Sequence, residues 1–134
     1  MMANIRDRNT KPEILIRHAL HGMGFRYRLH VSRLPGRPDL VFPRYRAVIQ
    51  IQGCFWHGHD CPLFKWPKTR PEFWQAKIEG NIKRDRRNLV LLREQGWRVL
   101  IWWECTTRNP ARFEQALSEA VEWLQGHEPE LVIE

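Results

Sequence analysis

All three cysteines of this 134-residue chain fall in one arrangement. Cys54 and Cys61 bracket His59 in the pattern Cys-x4-His-x-Cys, and Cys105 stands alone at the end of a later apolar run. Three thiolates and one imidazole form a known tetrahedral zinc set. An odd number of cysteines fits a disulfide framework poorly, and clustered Cys and His in a reducing compartment more often mean metal. A cation held this way ties the loop at 53–68, which is rich in Gly, Pro, His and Cys, to a distant strand end. It contributes to folding without having to do chemistry. His57 lies close enough in sequence to compete with His59 for the metal, and spacing alone leaves both open.

The remaining pattern is of mixed α/β order. Thr10-Lys11-Pro12-Glu13 predicts a capping box opening a helix, with Ile14, Leu15, Ile16, Ala19 and Leu20 on its apolar side and Gly22 and Gly24 at its end. Phe25–Leu29 alternates as a half-exposed strand does. Leu34–Pro38 is a turn. Leu40–Phe42 and Ala47–Ile51 follow as a hairpin joined by Pro43–Arg46. Thr69-Arg70-Pro71-Glu72 repeats the capping pattern before a long helix to about Gln95, with Gly96 at its C-terminal end. Trp97–Trp103 reads as a buried strand. Asn109-Pro110 opens a last helix to about Leu124, with Phe113, Leu117, Ala120, Val121 and Leu124 on one face. The expectation is a single domain over residues 1–134, a mixed sheet flanked by helices.

Charge narrows the function. Lys and Arg number 22 against 15 Asp and Glu, a formal net charge of +7, which attracts a polyanion, most often nucleic acid. No apolar run is long enough to span a bilayer. The N-terminal Met1-Met2-Ala3-Asn4 has no signal-peptide core, so a cytoplasmic, nucleoid-associated location without membrane partners is the default expectation. Seven tryptophans are many for this length. Trp97, Trp102 and Trp103, in or beside a strand, are expected to pack. Phe55 and Trp56, in a Gly/His loop, are candidates for surface work.

Pro38-Asp39 precedes one strand of the hairpin, and Gln50-Ile51-Gln52 ends its partner. That is the layout of nucleases in which an Asp binds a divalent cation that steadies the attacking water and the charge developing on phosphate. The positions that usually carry Asp/Glu and Lys hold Gln50 and Gln52, which can be neither acid nor base. His57 is the nearest alternative base, with an ordinary pKa suited to neutral pH.

These residues carry a resemblance. Leu34-Pro35-Gly36-Arg37-Pro38-Asp39, Gly53-Cys54-Phe55-Trp56-His57-Gly58-His59-Asp60-Cys61, Thr69-Arg70-x-Glu72-Phe73-Trp74, Arg84-Asp85-Arg86-Arg87 and Trp103-Glu104-Cys105 look like the signature of the very short patch repair (Vsr) endonucleases. The match runs from the first helix to the last. The resemblance implies a restriction-endonuclease-like fold and nicking of double-stranded DNA 5′ to the thymine of a T:G mismatch. It implies Mg2+ at Asp39 and the main-chain carbonyl of Ile51, with Glu13 supporting through water. It makes His57 the general base with Asp85 behind it, and it gives structural Zn2+ to Cys54, His59, Cys61 and Cys105.

Phe55, Trp56 and Trp74 then resemble a wedge entering the base stack beside the mismatch, where unstacking costs least. Lys77 and Asn81, at i and i+4 on one helix face, resemble base-edge readers. Arg84 and Arg87, with Lys83 and Arg86, suit phosphate contacts. Relatives usually carry a further N-terminal arm that clasps DNA. This sequence begins almost at its first helix, so a weaker clasp is expected. Gln52 stands where relatives can carry an ionisable residue such as His. A monomer is expected, with a mismatch-repair accessory protein as a further candidate partner. The other readings are a restriction-like or homing nuclease on the same scaffold, and an inactive zinc-dependent DNA-binding module.

Overall fold

The computed structural model describes residues 8–134. Residues 1–7, where the expectations about the N-terminal arm and the leader fall, lie outside them. The element order is α1 (Lys11–Gly22), β1 (Arg28–Leu29), β2 (Leu40–Phe42), β3 (Ala47–Gln52), α2 (Pro71–Glu94), β4 (Arg98–Trp103), α3 (Pro110–Gln125) and β5 (Glu130–Ile133). The five strands form one mixed sheet in chain order. β1, β2 and β3 pair antiparallel, while β3–β4 and β4–β5 are parallel. Among the described residues no helix is long and apolar enough to cross a membrane.

Side-chain alternation divides the core. Leu40, Phe42, Ala47, Ile49, Leu100, Trp102 and Ile133 point to one face and pack under Ile16 and Leu20 of α1 and Ala116, Leu117, Ala120, Trp123 and Leu124 of α3. Val41, Val48 and Val99 point to the other face, where Leu92 of α2 and Trp97 cover them. Helices thus cover both faces, and the C-terminal ends of parallel β3 and β4 open side by side at Gln52 and Trp103. Ligand sites on sheets of this kind gather at such strand ends.

Several local expectations need correction. Thr10 does cap α1, accepting from Glu13 N, but Glu13 does not bond back to Thr10: its Oε1 accepts from Asn9 N at 2.9 Å. Leu15 is 39% exposed, so the buried stripe of α1 is Glu13, Ile16 and Leu20. The second capping box does not form. Arg70, not Thr69, is the N-cap of α2, in a left-handed conformation with no side-chain cap bond. Only Arg28 and Leu29 of the first expected strand pair, because Phe25 turns into the core. β5 was not foreseen: it is a four-residue edge strand in which only Ile133 is fully buried, too short to show a period.

Candidate active site and metal centre

A cleft of about 750 Å³ lies between α1, the strand ends and α2. Asp39, Ile51, Glu13, His57 and Asp85 all line it, as do Trp56, Lys77, Asn81 and Arg84. Phe55 and Trp74 stand beside it in an aromatic cluster, and exposed Arg87 lies one turn beyond Arg84 on α2.

Asp39 enters the cleft from the residue before β2. The hairpin register pairs Leu40 with Ile49, so the chain just before β2 runs beside the end of β3, and Ile51 N–H donates to Asp39 Oδ2 at 2.7 Å. Asp39 is 9% exposed. Burial, and then the neighbouring Glu13 carboxylate, push its pKa up to about 7, against the opposing pull of the Ile51 N–H and Arg37. Glu13 is 1% exposed and fully engaged. Beyond Asn9 it takes Arg17 at 2.7 Å and His30 Nε2 at 2.8 Å. Two buried carboxylates side by side, one of them forced toward neutrality, form a site that a divalent cation would relieve.

His30 escaped the sequence reading. It lies in no motif, and its partner is 17 residues away. Its backbone φ of +47° was a signal the residue name alone could not give. Gln50 also lines the cleft, its amide donating to Gly36 O at 3.4 Å, and Gln52 is buried in the cleft wall.

The two histidines of the loop separate. His57 Nδ1 lies 2.5 Å from Asp85 Oδ2, which comes from the middle of α2. Both side chains keep about a quarter of their surface exposed, 26% and 28%. His59 turns the other way, with Nδ1 3.7 Å from Cys105 Sγ and Nε2 2.8 Å from Glu134 Oε1. Between them Gly58 has φ +62°, and a Cβ there would meet Ile78 Cγ2 at 2.8 Å. Only glycine allows the loop to lie this close to α2 while reversing direction.

Cys54, His59, Cys61 and Cys105 offer ligand atoms all within 4.8 Å of one another, and none of the cysteines is disulfide-bonded. Burial raises the thiols of Cys54 and Cys105. At Cys61 burial is outweighed by the Leu63 N–H and by His59 and Cys54, which lower it. The donor set and spacing fit a metal ion. His59 is further fixed by Trp103, stacked on it with ring centres 4.1 Å apart and planes at 10°. Of the tryptophans expected to pack, Trp97 and Trp102 are in the core, while Trp103 instead braces this cluster.

Phe55, Trp56 and Trp74 form a mutual cluster with ring centres 5.1–5.7 Å apart, each of them half-buried. Asn81 Nδ2 donates to Trp56 O at 2.8 Å, and its Oδ1 accepts from Arg84. In the free protein this residue ties the aromatic loop to α2. Lys77, Lys83, Arg84, Arg86 and Arg87 are exposed on α2, and Lys77 and Arg84 line the cleft.

The model of the family described as DNA mismatch endonuclease Vsr matches residues 1–63. The DNA mismatch endonuclease Vsr of Escherichia coli is 48% identical over 127 residues, covering 93% of this chain and 81% of the relative. The type II nicking enzyme V.XorIIP of Xanthomonas oryzae pv. oryzae is 44% identical, over 87% of this chain and 86% of the relative. The type II nicking enzyme V.NmeAIP of Neisseria meningitidis is 40% identical, over 90% of this chain and 86% of the relative.

Proposed function

This chain belongs to the Vsr family of DNA endonucleases, and on that premise we propose that it nicks double-stranded DNA on the 5′ side of the thymine in a T:G mismatch. The observation that carries this reading is the His57–Asp85 pair, 2.5 Å apart, in the same cleft as buried Asp39 and beside the Phe55, Trp56 and Trp74 cluster. It sets a base, a cation-binding carboxylate and a stack-entering wedge around one volume.

His57 is the general base. Asp85 holds Nδ1, which fixes the ring and leaves Nε2 to take a proton from water. Asp85 also stabilises the imidazolium once that proton has arrived. Asp39 and the main-chain carbonyl of Ile51 would hold Mg2+, with Glu13 supporting through water. Mg2+ in such a place supplies charge stabilisation for the phosphate and a lowered pKa for bound water. Cys54, His59, Cys61 and Cys105 hold Zn2+, which fixes the loop that carries His57.

Phe55, Trp56 and Trp74 enter the stack beside the mismatch. Unstacking a base step costs a few kcal/mol, and less where the pair is already weak, so the wedge selects for mismatches. Arg84 and Arg87 give affinity through phosphates. Lys77 reads base edges from the cleft wall, and Asn81 joins it by exchanging its bond to Trp56 O when the loop opens the stack.

The test is Mg2+-dependent cleavage of a labelled duplex carrying one T:G mismatch, beside its fully paired control. A single nick next to the mismatched thymine, and none in the control, is the expected result. Equal cutting of both duplexes would instead make the protein a sequence-specific nicking nuclease.

A further inference from the structure

We propose that His30 is a nitrogen ligand to the divalent cation held at Asp39, so that the site accepts Mn2+-class transition-metal cations in addition to Mg2+. The inference rests on the reading of Asp39 as a cation ligand and goes beyond it in naming an added ligand and the class of metal it selects.

Glu13, His30 and Asp39 each offer one ligand atom, and all three atoms lie within 4.8 Å of one another. They arrive from separate parts of the chain: α1, the segment after β1, and the residue before β2. The convergence at His30 is imposed. Its φ of +47° lies in the left-handed region, which few non-glycine residues adopt although His does so more readily than most, and its own N–H donates to Asp39 O at 3.1 Å. Backbone bond and side chain therefore lock His30 to both carboxylate-bearing segments. A conformation of this kind persists only where its surroundings over-determine it. The side chain is 12% exposed, and its Nε2 reaches Glu13 Oε2 at 2.8 Å.

Arg17 shares that same Glu13 oxygen at 2.7 Å. With Glu13 partly neutralised, the set offers a cation less negative charge than two free carboxylates would, and one neutral nitrogen donor in addition. Mg2+ prefers oxygen throughout and keeps its waters. Imidazole beside carboxylate suits first-row transition cations, whose affinity for nitrogen ligands is greater. His57 has another task in the proposed reaction: Asp85 holds its Nδ1, and its Nε2 takes the proton from water.

The experiment is Mn2+ titration of the zinc-loaded, full-length protein followed by electron paramagnetic resonance, with Mg2+ as competitor. The variants are His30→Asn and Asp39→Asn. Asn tolerates the left-handed conformation and carries no imidazole nitrogen. Wild type should bind Mn2+ more tightly than Mg2+, with nitrogen hyperfine coupling on the bound ion. His30→Asn should lose that coupling and weaken Mn2+ binding by roughly tenfold or more, while Mg2+ binding changes little.

Bound Mn2+ with no nitrogen coupling in the wild type would overturn the inference, whatever the variants do. Retained coupling and affinity in His30→Asn, with loss of both ions in Asp39→Asn, would refute His30 alone and leave Asp39 standing. Unchanged binding in Asp39→Asn would refute the cation reading of Asp39 itself.

Discussion

Asp39→Asn should make the Mg2+-free protein more stable at alkaline pH while abolishing nicking. The magnitude follows from the environment of the carboxyl. Its pKa stands at about 7 in the folded protein against 3.8 for the free group, because it is buried and faces Glu13. Below about pH 4 the carboxyl is protonated in both folded and unfolded chains and costs nothing. As pH rises through the window from about 4 to 7 the unfolded chain ionises first, and stability is lost until the folded carboxyl has ionised too. At 1.36 kcal/mol per pKa unit the full penalty is on the order of 4 kcal/mol, an upper bound. Asn keeps an oxygen for the Ile51 N–H and carries no charge, so it removes that penalty. Chemical denaturation of both proteins at pH 5 and pH 8, zinc-loaded and without Mg2+, measures the effect. The difference should widen by about 2–4 kcal/mol toward pH 8. Added Mg2+ should recover stability in the wild type only. Parallel pH profiles for the two proteins would refute the argument.

Further outcomes are expected at the His57–Asp85 pair, the cysteine cluster and the aromatic wedge. His57→Ala should abolish nicking while keeping zinc and fold, and Asp85→Asn should lower kcat by about 10²–10⁴-fold with mismatch binding intact; zinc loss in His57→Ala, measured by metal content, would refute the division between the two histidines. Cys105→Ser should release zinc and lower Tm, and Glu134→Ala, which removes the acceptor for His59 Nε2, should weaken zinc retention by roughly 10–100-fold against a chelator. Trp56→Ala should erase most of the preference for mismatched over paired duplex in a competition binding assay, at unchanged salt dependence, because phosphate contacts set that slope.

How much of this was legible in the sequence depends on how far apart the partners lie. The loop motif, the hairpin, the long α2 and the last helix are local patterns, while the register of the hairpin came from the structure alone. The separate tasks of His57 and His59 came from family resemblance and not from spacing, which left both open. The errors share a cause. Both capping boxes were read as reciprocal local bonds, yet Glu13 was drawn off by His30 and Arg17, and Arg70 took the cap of α2 in a left-handed conformation. Glu134 meets His59 across 75 residues because β5 brings the chain end beside β4, and that strand is too short to announce itself.

On the proposed reading, in which His57 is the base, the loop gives a physical reason for a metal beside the hydrolytic site. Residues 53–61 have little apolar mass with which to hold themselves, apart from Cys54 and the aromatic pair. A general base in such a segment would wander by more than the geometry of proton transfer tolerates. The fold fixes it from two sides. Gly58 seats the backbone against Ile78 and Ile82 of α2, the same helix that delivers Asp85 one turn further along to His57 Nδ1. On the other side His59 is clamped among the cysteines and against Trp103, whose ring also meets His57 edge-on at 6.2 Å. Trp103 is thus a wall shared by both histidines. A cation among the four zinc-type ligands would tighten that wall, so its contribution reaches the base through packing although it holds no reacting atom.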